Sequence, residues 1–109
     1  MQIKILVTGG TIDKVYNELT GELTFGTSNL DEMLERSRST VGINTEVLFL
    51  KDSLDMNDED RGLILSKCLE CSEDRVMITH GTDTMVETAQ LLGNKIKDKT
   101  IVLFGSMIP

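Results

Sequence analysis

Two stretches of this chain carry hydroxyls in a setting that suits chemistry: Ile5-Leu6-Val7-Thr8-Gly9-Gly10-Thr11-Ile12 and Val76-Met77-Ile78-Thr79-His80-Gly81-Thr82-Asp83-Thr84. Each is an apolar, β-prone run that breaks into small residues and hydroxyls. A buried strand that ends this way delivers a threonine to the edge of a sheet. Thr11 and Thr82, with the carboxylate of Asp83 beside the second, are raw material for hydroxyl-nucleophile chemistry. A threonine hydroxyl needs a base, however, and an exposed carboxylate, with a pKa of about 4, is a poor one. A lysine of lowered pKa serves better, and Lys14 and Lys51 lie nearest the motifs. His80 precedes a glycine turn and reads as a packing or hydrogen-bonding residue before it reads as a catalytic one. Gly9, Gly10 and Gly81 let main-chain amides approach a ligand closely, and such amides at a helix start can stabilise an oxyanion. Phosphate binding is the weaker reading, because Thr8-Gly9-Gly10-Thr11 matches neither G-x-G-x-x-G nor G-x-x-x-x-G-K-[ST].

The elements that must position these residues follow from hydropathy. Strands are expected over residues 3–7, 45–50, 75–79 and 100–104, mostly as near-continuous apolar runs suited to burial on both faces. Helices are expected between them. Ser28-Asn29-Leu30-Asp31 opens one that runs to about residue 39. Asn57-Asp58-Glu59-Asp60 opens a second, its acids complementing the helix dipole. Leu63, Ile64, Cys68 and Leu69 mark its apolar face. Thr84-Met85-Val86-Glu87 reads as a capping box opening a third, which ends near Gly93. The order predicts an α/β fold: a doubly wound, mainly parallel sheet of about four strands in the order 2-1-3-4, with helices on both faces. Residues 12–27 read as a hairpin turning at Gly21, and a loop there, at the carboxyl edge of the sheet, suits a lid. In this topology strands one and three are neighbours. Thr11 and Thr82-Asp83 then converge on one crevice, and strand two delivers Lys51-Asp52-Ser53-Leu54-Asp55 beside them.

Size and composition narrow the function. At 109 residues the chain is at most one domain. Four aromatic residues (Tyr16, Phe25, Phe49, Phe104) leave the core to aliphatics. A net charge of −7 repels phosphate backbones and argues against nucleic-acid binding. No run approaches the roughly 20 apolar residues of a membrane span, and the N-terminus lacks a signal-peptide shape, so a cytoplasmic location is expected. Cys68-x-x-Cys71 falls at the end of a helical run. A zinc site needs about four ligands, and a redox dithiol belongs at a helix start. The pair is therefore read as small, semi-buried helix residues, with no metal.

The two motifs resemble those of the bacterial-type L-asparaginase family: T-G-G-T-I as Thr8-Gly9-Gly10-Thr11-Ile12 and H-G-T-D-T as His80-Gly81-Thr82-Asp83-Thr84. The likeness continues into Met85-Val86-Glu87-Thr88-Ala89. Ser53-Leu54-Asp55-Met56-Asn57-Asp58 is similar to the family's S-x-D-M-N-D segment, and Gly105-Ser106-Met107-Ile108-Pro109 to its G-[AS]-M-x-P turn. The resemblance implies hydrolysis of the side-chain amide of L-asparagine to aspartate and ammonia, without a cofactor. It implies Thr11 as the acyl-forming nucleophile and Thr82 as the second catalytic threonine. Asp83 would bind the substrate α-amino group and help orient a lysine, and Ser53 would contact the α-carboxylate. The family's glutamine after the serine is Leu54 here, and its lid tyrosine has no clean counterpart, with Leu23 or Tyr16 nearest. The family's catalytic lysine follows the G-[AS]-M-x-P turn, so residues 1–109 are expected to form the family's N-terminal α/β domain without that lysine or the C-terminal domain. Two readings stay open: an asparaginase-like amidohydrolase, or a catalytically incomplete amino-acid-binding module. The apolar fourth strand at an edge leads to an expected homo-oligomer or a fragment of a longer chain.

Overall fold

The computed structural model describes residues 2–10, 14–16, 23–25 and 42–106. In chain order the elements are β1 (Gln2–Val7), β2 (Lys14–Tyr16), β3 (Leu23–Phe25), β4 (Gly42–Val47), a 3-10 turn (Ser53–Asp55), α1 (Asp58–Glu70), β5 (Arg75–Thr79), α2 (Met85–Lys95) and β6 (Thr100–Phe104). Four strands form one sheet in the order β4-β1-β5-β6, with every pairing parallel. This is the 2-1-3-4 order read from the sequence. Strands β2 and β3 pair antiparallel, Lys14 opposite Phe25 and Tyr16 opposite Leu23, which is the expected hairpin ladder. The helix expected up to residue 39 lies outside the described residues.

Side chains alternate across the pleat, so β1 faces two cores at once. Leu6 joins Val76 and Ile78 of β5 beneath Ile64 and Cys68 of α1 and Leu92 of α2. Ile5 and Val7 point to the opposite face, beside Ile43, Met77 and Phe104. Residues 4–7 are all buried, as a strand covered on both faces requires. Lys4 is tolerated in that run because its ammonium reaches Glu46 on β4 at 3.3 Å. Glu46 also takes Lys67 of α1 at 3.2 Å, and hydrogen bonds from Lys67 and then Lys4 hold its pKa below the ordinary value.

Three expectations are corrected. The second sheet strand is residues 42–47, three residues earlier than expected, because its ladder ends where β1 ends: Val7 pairs with Val47. Leu48, Phe49 and Leu50 still pack on the two cores, so their apolar character serves burial without a ladder. In α1 only Ile64 and Cys68 of the expected apolar face are buried, whereas Leu63 and Leu69 are exposed. The third correction concerns caps. The capping box forms at α1, where the Asn57 side chain accepts the Asp60 N–H (2.9 Å) and Asp60 Oδ2 accepts the Asn57 N–H (3.1 Å). Thr84 occupies the N-cap position of α2 but makes no side-chain cap bond. That helix runs past Gly93 to Lys95.

Candidate functional site

Register brings the strand ends to one level. Val7 pairs with both Val47 and Thr79, and Thr79 pairs with Phe104. The residues that follow Val7 and Thr79 therefore leave the sheet side by side. The Thr8 N–H donates to Thr79 Oγ1 at 3.0 Å, and Thr8 Oγ1 donates to the Thr79 carbonyl. Both threonines are fully buried. This reciprocal clasp explains the hydroxyls inside an otherwise apolar run: each satisfies a main-chain group where the ladder ends.

Beyond the clasp the turns interleave. Gly9 (φ +109°) and Gly10 (φ +95°) adopt a backbone conformation that side-chain-bearing residues rarely take. The Gly10 N–H donates to the Lys51 carbonyl at 3.2 Å, and the Lys51 N–H donates to the Thr8 carbonyl at 3.1 Å. A Cβ on Gly9 would stand 2.5 Å from the Lys51 nitrogen, and one on Gly10 would stand 2.7 Å from the Gly81 nitrogen. A Cβ on Gly81 would meet the Ser53 hydroxyl at 2.7 Å. Ser53 is itself buried, and its hydroxyl oxygen accepts the Thr84 N–H at 3.2 Å. The Thr84 hydroxyl, which does not cap its helix, donates to the Ser53 carbonyl at 2.9 Å. Turns from β1, β4 and β5 thus meet, with glycine where main chain packs on main chain and a Ser53–Thr84 hydrogen-bond pair beside it.

Thr82 and Asp83 sit on the exposed side of this junction, ahead of α2. Ser53 is buried against Gly81 and Thr84, the residues on either side of them. Thr11, which follows Gly10 in the chain, lies outside the described residues. Lys51 comes to the junction through its backbone, but its ammonium turns to Asp60, at 3.0 and 2.9 Å from the two carboxylate oxygens. Burial works to raise the Asp60 pKa, yet hydrogen bonds from Lys51 and the Asn57 N–H outweigh it, and the pKa is lowered. Lys51 is therefore engaged as an ion pair. Leu54, next to Ser53, is 73% exposed, an apolar group on the rim of the site.

His80 turns inward. It is fully buried, with Nδ1 2.6 Å from the Gly81 carbonyl and Nε2 2.8 Å from Thr88 Oγ1. Burial pushes its pKa below the ordinary value, against the pull of the Gly81 carbonyl. Sequence reasoning did not single out Thr88 for a role, nor Arg61, whose Nε donates to Thr88 Oγ1 at 3.2 Å. The available signal was a threonine four residues before Leu92, on the apolar stripe of α2. Cys68 is buried in α1 and Cys71 caps its end, both as free thiols. Burial raises the Cys68 pKa to about 11. Among the described residues, no three of His, Cys, Asp and Glu come together as metal ligands.

A parallel four-stranded sheet in the order β4-β1-β5-β6, with the turns that leave β1, β4 and β5 in contact at the carboxyl ends of the strands, defines a protein of the doubly wound α/β class. The profile described as Asparaginase, N-terminal matches residues 2–109, and the chain belongs to the asparaginase family. It is 38% identical over 115 residues to the probable periplasmic L-asparaginase of Haemophilus influenzae, covering 98% of this chain and 33% of that protein. Similarity also extends to a glutamyl-tRNA(Gln) amidotransferase component from Thermococcus kodakarensis, 35% identical across 95% of this chain and 25% of that one. The thermostable L-asparaginase from Thermococcus kodakarensis superposes with a TM-score of 0.83 at 32% identity, covering 100% of this chain and 35% of that structure. The chain spans about a third of the length of the curated L-asparaginases it matches.

Proposed function

We propose that this chain supplies the nucleophile and the substrate clamp of an asparaginase-type amidohydrolase that converts L-asparagine to L-aspartate and ammonia. The observation that carries the reading is the junction at the sheet edge, where Gly10 lies against Gly81 and Ser53 lies beneath it. In this reading the Thr11 hydroxyl attacks the side-chain amide carbon and ammonia leaves. Water then hydrolyses the resulting ester. Thr82 assists that chemistry. Asp83 accepts the substrate ammonium, and Ser53 faces the α-carboxylate. Residues 1–109 are one α/β domain, the β2–β3 hairpin acts as a lid, and the domain works in a homo-oligomer. No cofactor or metal is required. The acidic surface suits a small zwitterionic substrate better than nucleic acid. Among the described residues no helix is long and apolar enough to cross a membrane, and the two free thiols fit a cytoplasmic setting.

A second reading draws on the engagement of the nearby bases. Lys51 is paired with Asp60 and His80 is buried, so neither stands ready to deprotonate a threonine. On that ground the chain by itself binds the amino acid without turning it over. Ammonia release from L-asparagine, measured for the chain and for Thr11→Ala, separates the two. Release that is lost in Thr11→Ala supports the enzyme. Equal release from both removes Thr11 from the mechanism. Calorimetric binding of L-aspartate without release supports the binding module, and no binding at tens of millimolar defeats both.

A further inference from the structure

His80 is the only histidine in the chain, and its two ring nitrogens have partners of opposite demand. A carbonyl only accepts, so the 2.6 Å contact to the Gly81 oxygen fixes the hydrogen on Nδ1. Nε2 is then an acceptor, and the Thr88 hydroxyl must donate to it across 2.8 Å. That leaves the Thr88 oxygen to accept from Arg61 Nε–H at 3.2 Å. The hydrogen bonds therefore run in one direction: Arg61 on α1, Thr88 on α2, the imidazole, then the main chain of the second motif. Bonds aligned this way polarise one another. The ring cannot drift, because it is fully buried and the His80 main-chain N–H donates to the Phe104 carbonyl of β6 at 3.0 Å. Gly81 cannot drift either, wedged between Gly10 and Ser53.

We propose that Arg61 and Thr88, which lie outside the crevice, are positioning residues for it: through His80 they hold the Gly81 carbonyl and so fix the stance of Thr82 and Asp83. The charged groups facing the imidazole are Arg61 from α1 and Glu87 from α2, while β6 offers main chain. Arg61 opposes a charged ring and Glu87 favours one. Burial, the larger effect, acts with Arg61 against the charged ring, and the Gly81 carbonyl fixes the neutral ring's hydrogen on Nδ1. The consequence for substrate binding rests on the proposed amino-acid site, whereas the relay itself does not.

The test uses nitrogen-resolved NMR of the single imidazole together with amide exchange at Thr82 and Asp83. The native chain should show the Nδ1–H tautomer. Thr88→Val should mix the tautomers and speed exchange at Thr82 and Asp83 about tenfold. Thr88→Ser should restore both. Arg61→Gln, on a half-buried helix surface, provides a second variant should Thr88→Val fail to fold, and it should move the same two readouts in the same direction. A native Nε2–H tautomer overturns the proposal. So does unchanged exchange at Thr82 and Asp83 in a folded Thr88→Val or Arg61→Gln chain. L-aspartate titration separates the two readings. If the native chain does not bind aspartate but the exchange responses appear, the amino-acid site fails and the relay stands. If it binds, Thr88→Val should raise Kd severalfold, and an unchanged Kd overturns the positioning role.

Discussion

Gly10 and Gly81, 71 positions apart in sequence, touch backbone to backbone: a Cβ on Gly10 would stand 2.7 Å from the Gly81 nitrogen and 2.8 Å from its Cα. The contact joins the two motifs physically. It also makes residue size, rather than polarity, the first requirement at the centre of the site.

Gly10→Ala should therefore be costly. The substitution combines a positive φ with a backbone clash that no rotamer can relieve. Strain of this kind costs about 1–3 kcal/mol before the clash is counted. Urea denaturation should show a lower midpoint with an unchanged slope. Gly93→Ala is the contrast, since a Cβ there meets nothing within 4 Å and Gly93 lies inside α2. That change should stabilise the protein by roughly 0.5–1 kcal/mol.

Thr8→Val keeps the shape of the side chain and removes the donor that reaches the Thr79 carbonyl. Thr79→Val removes the acceptor of the Thr8 N–H. Each should lower stability by about 1–3 kcal/mol, the range for a disrupted buried hydrogen bond. The double variant should be less unstable than the sum, because both changes strike one clasp. Strict additivity in a thermodynamic cycle would show that the two bonds act separately.

Much of this fold was legible in the sequence because parallel strands joined by helices admit few orders. The apolar runs at β1, β5 and β6 located the strands, and the glycines marked where the turns meet. What could not be read was where tertiary partners overrule local preference. Residues 48–50 are as apolar as a strand, but β1 turns away at Gly9, and pairing stops once the Leu48 N–H has reached the Val7 carbonyl. Thr84 and Glu87 have the spacing of a cap, but the Thr84 hydroxyl finds the Ser53 carbonyl instead. No local pattern couples residue 84 to residue 53. The same holds for His80: its place before a glycine turn suggested a packing role, but Thr88 and Arg61 emerge as its supports only once both helices lie on one face.

Thiol chemistry should distinguish the two cysteines. Cys68 is fully buried with its pKa raised to about 11, so little thiolate exists at neutral pH. Cys71 is half-exposed beyond the end of α1. Iodoacetamide at pH 8 should label Cys71 and spare Cys68 in the folded chain, and label both in denaturant, as mass spectrometry of the peptides would show. Native labelling of Cys68 at a comparable rate would mean that the α1 packing opens readily.

Acid should weaken the fold in two stages, and the first belongs to His80. Its folded pKa lies below the ordinary value of 6.5, so between the two values the unfolded chain binds the extra proton. Stability from this source is complete above about pH 6.5 and declines as pH falls toward the folded pKa, with a slope of at most about 1.4 kcal/mol per pH unit. Asp60 and Glu46 add the second stage. Their folded pKa values are depressed below the ordinary 3.8 and 4.5, so their contribution is present above those values and is lost as pH falls through the folded ones. The urea midpoint should therefore drop as pH is lowered from 7.5 to 5.5, above the range in which Asp60 and Glu46 act. The single imidazole should titrate below pH 6.5 in the folded state, as NMR would show. A flat midpoint over that range would remove the first stage, and an imidazole that titrates above 6.5 would reverse its sign.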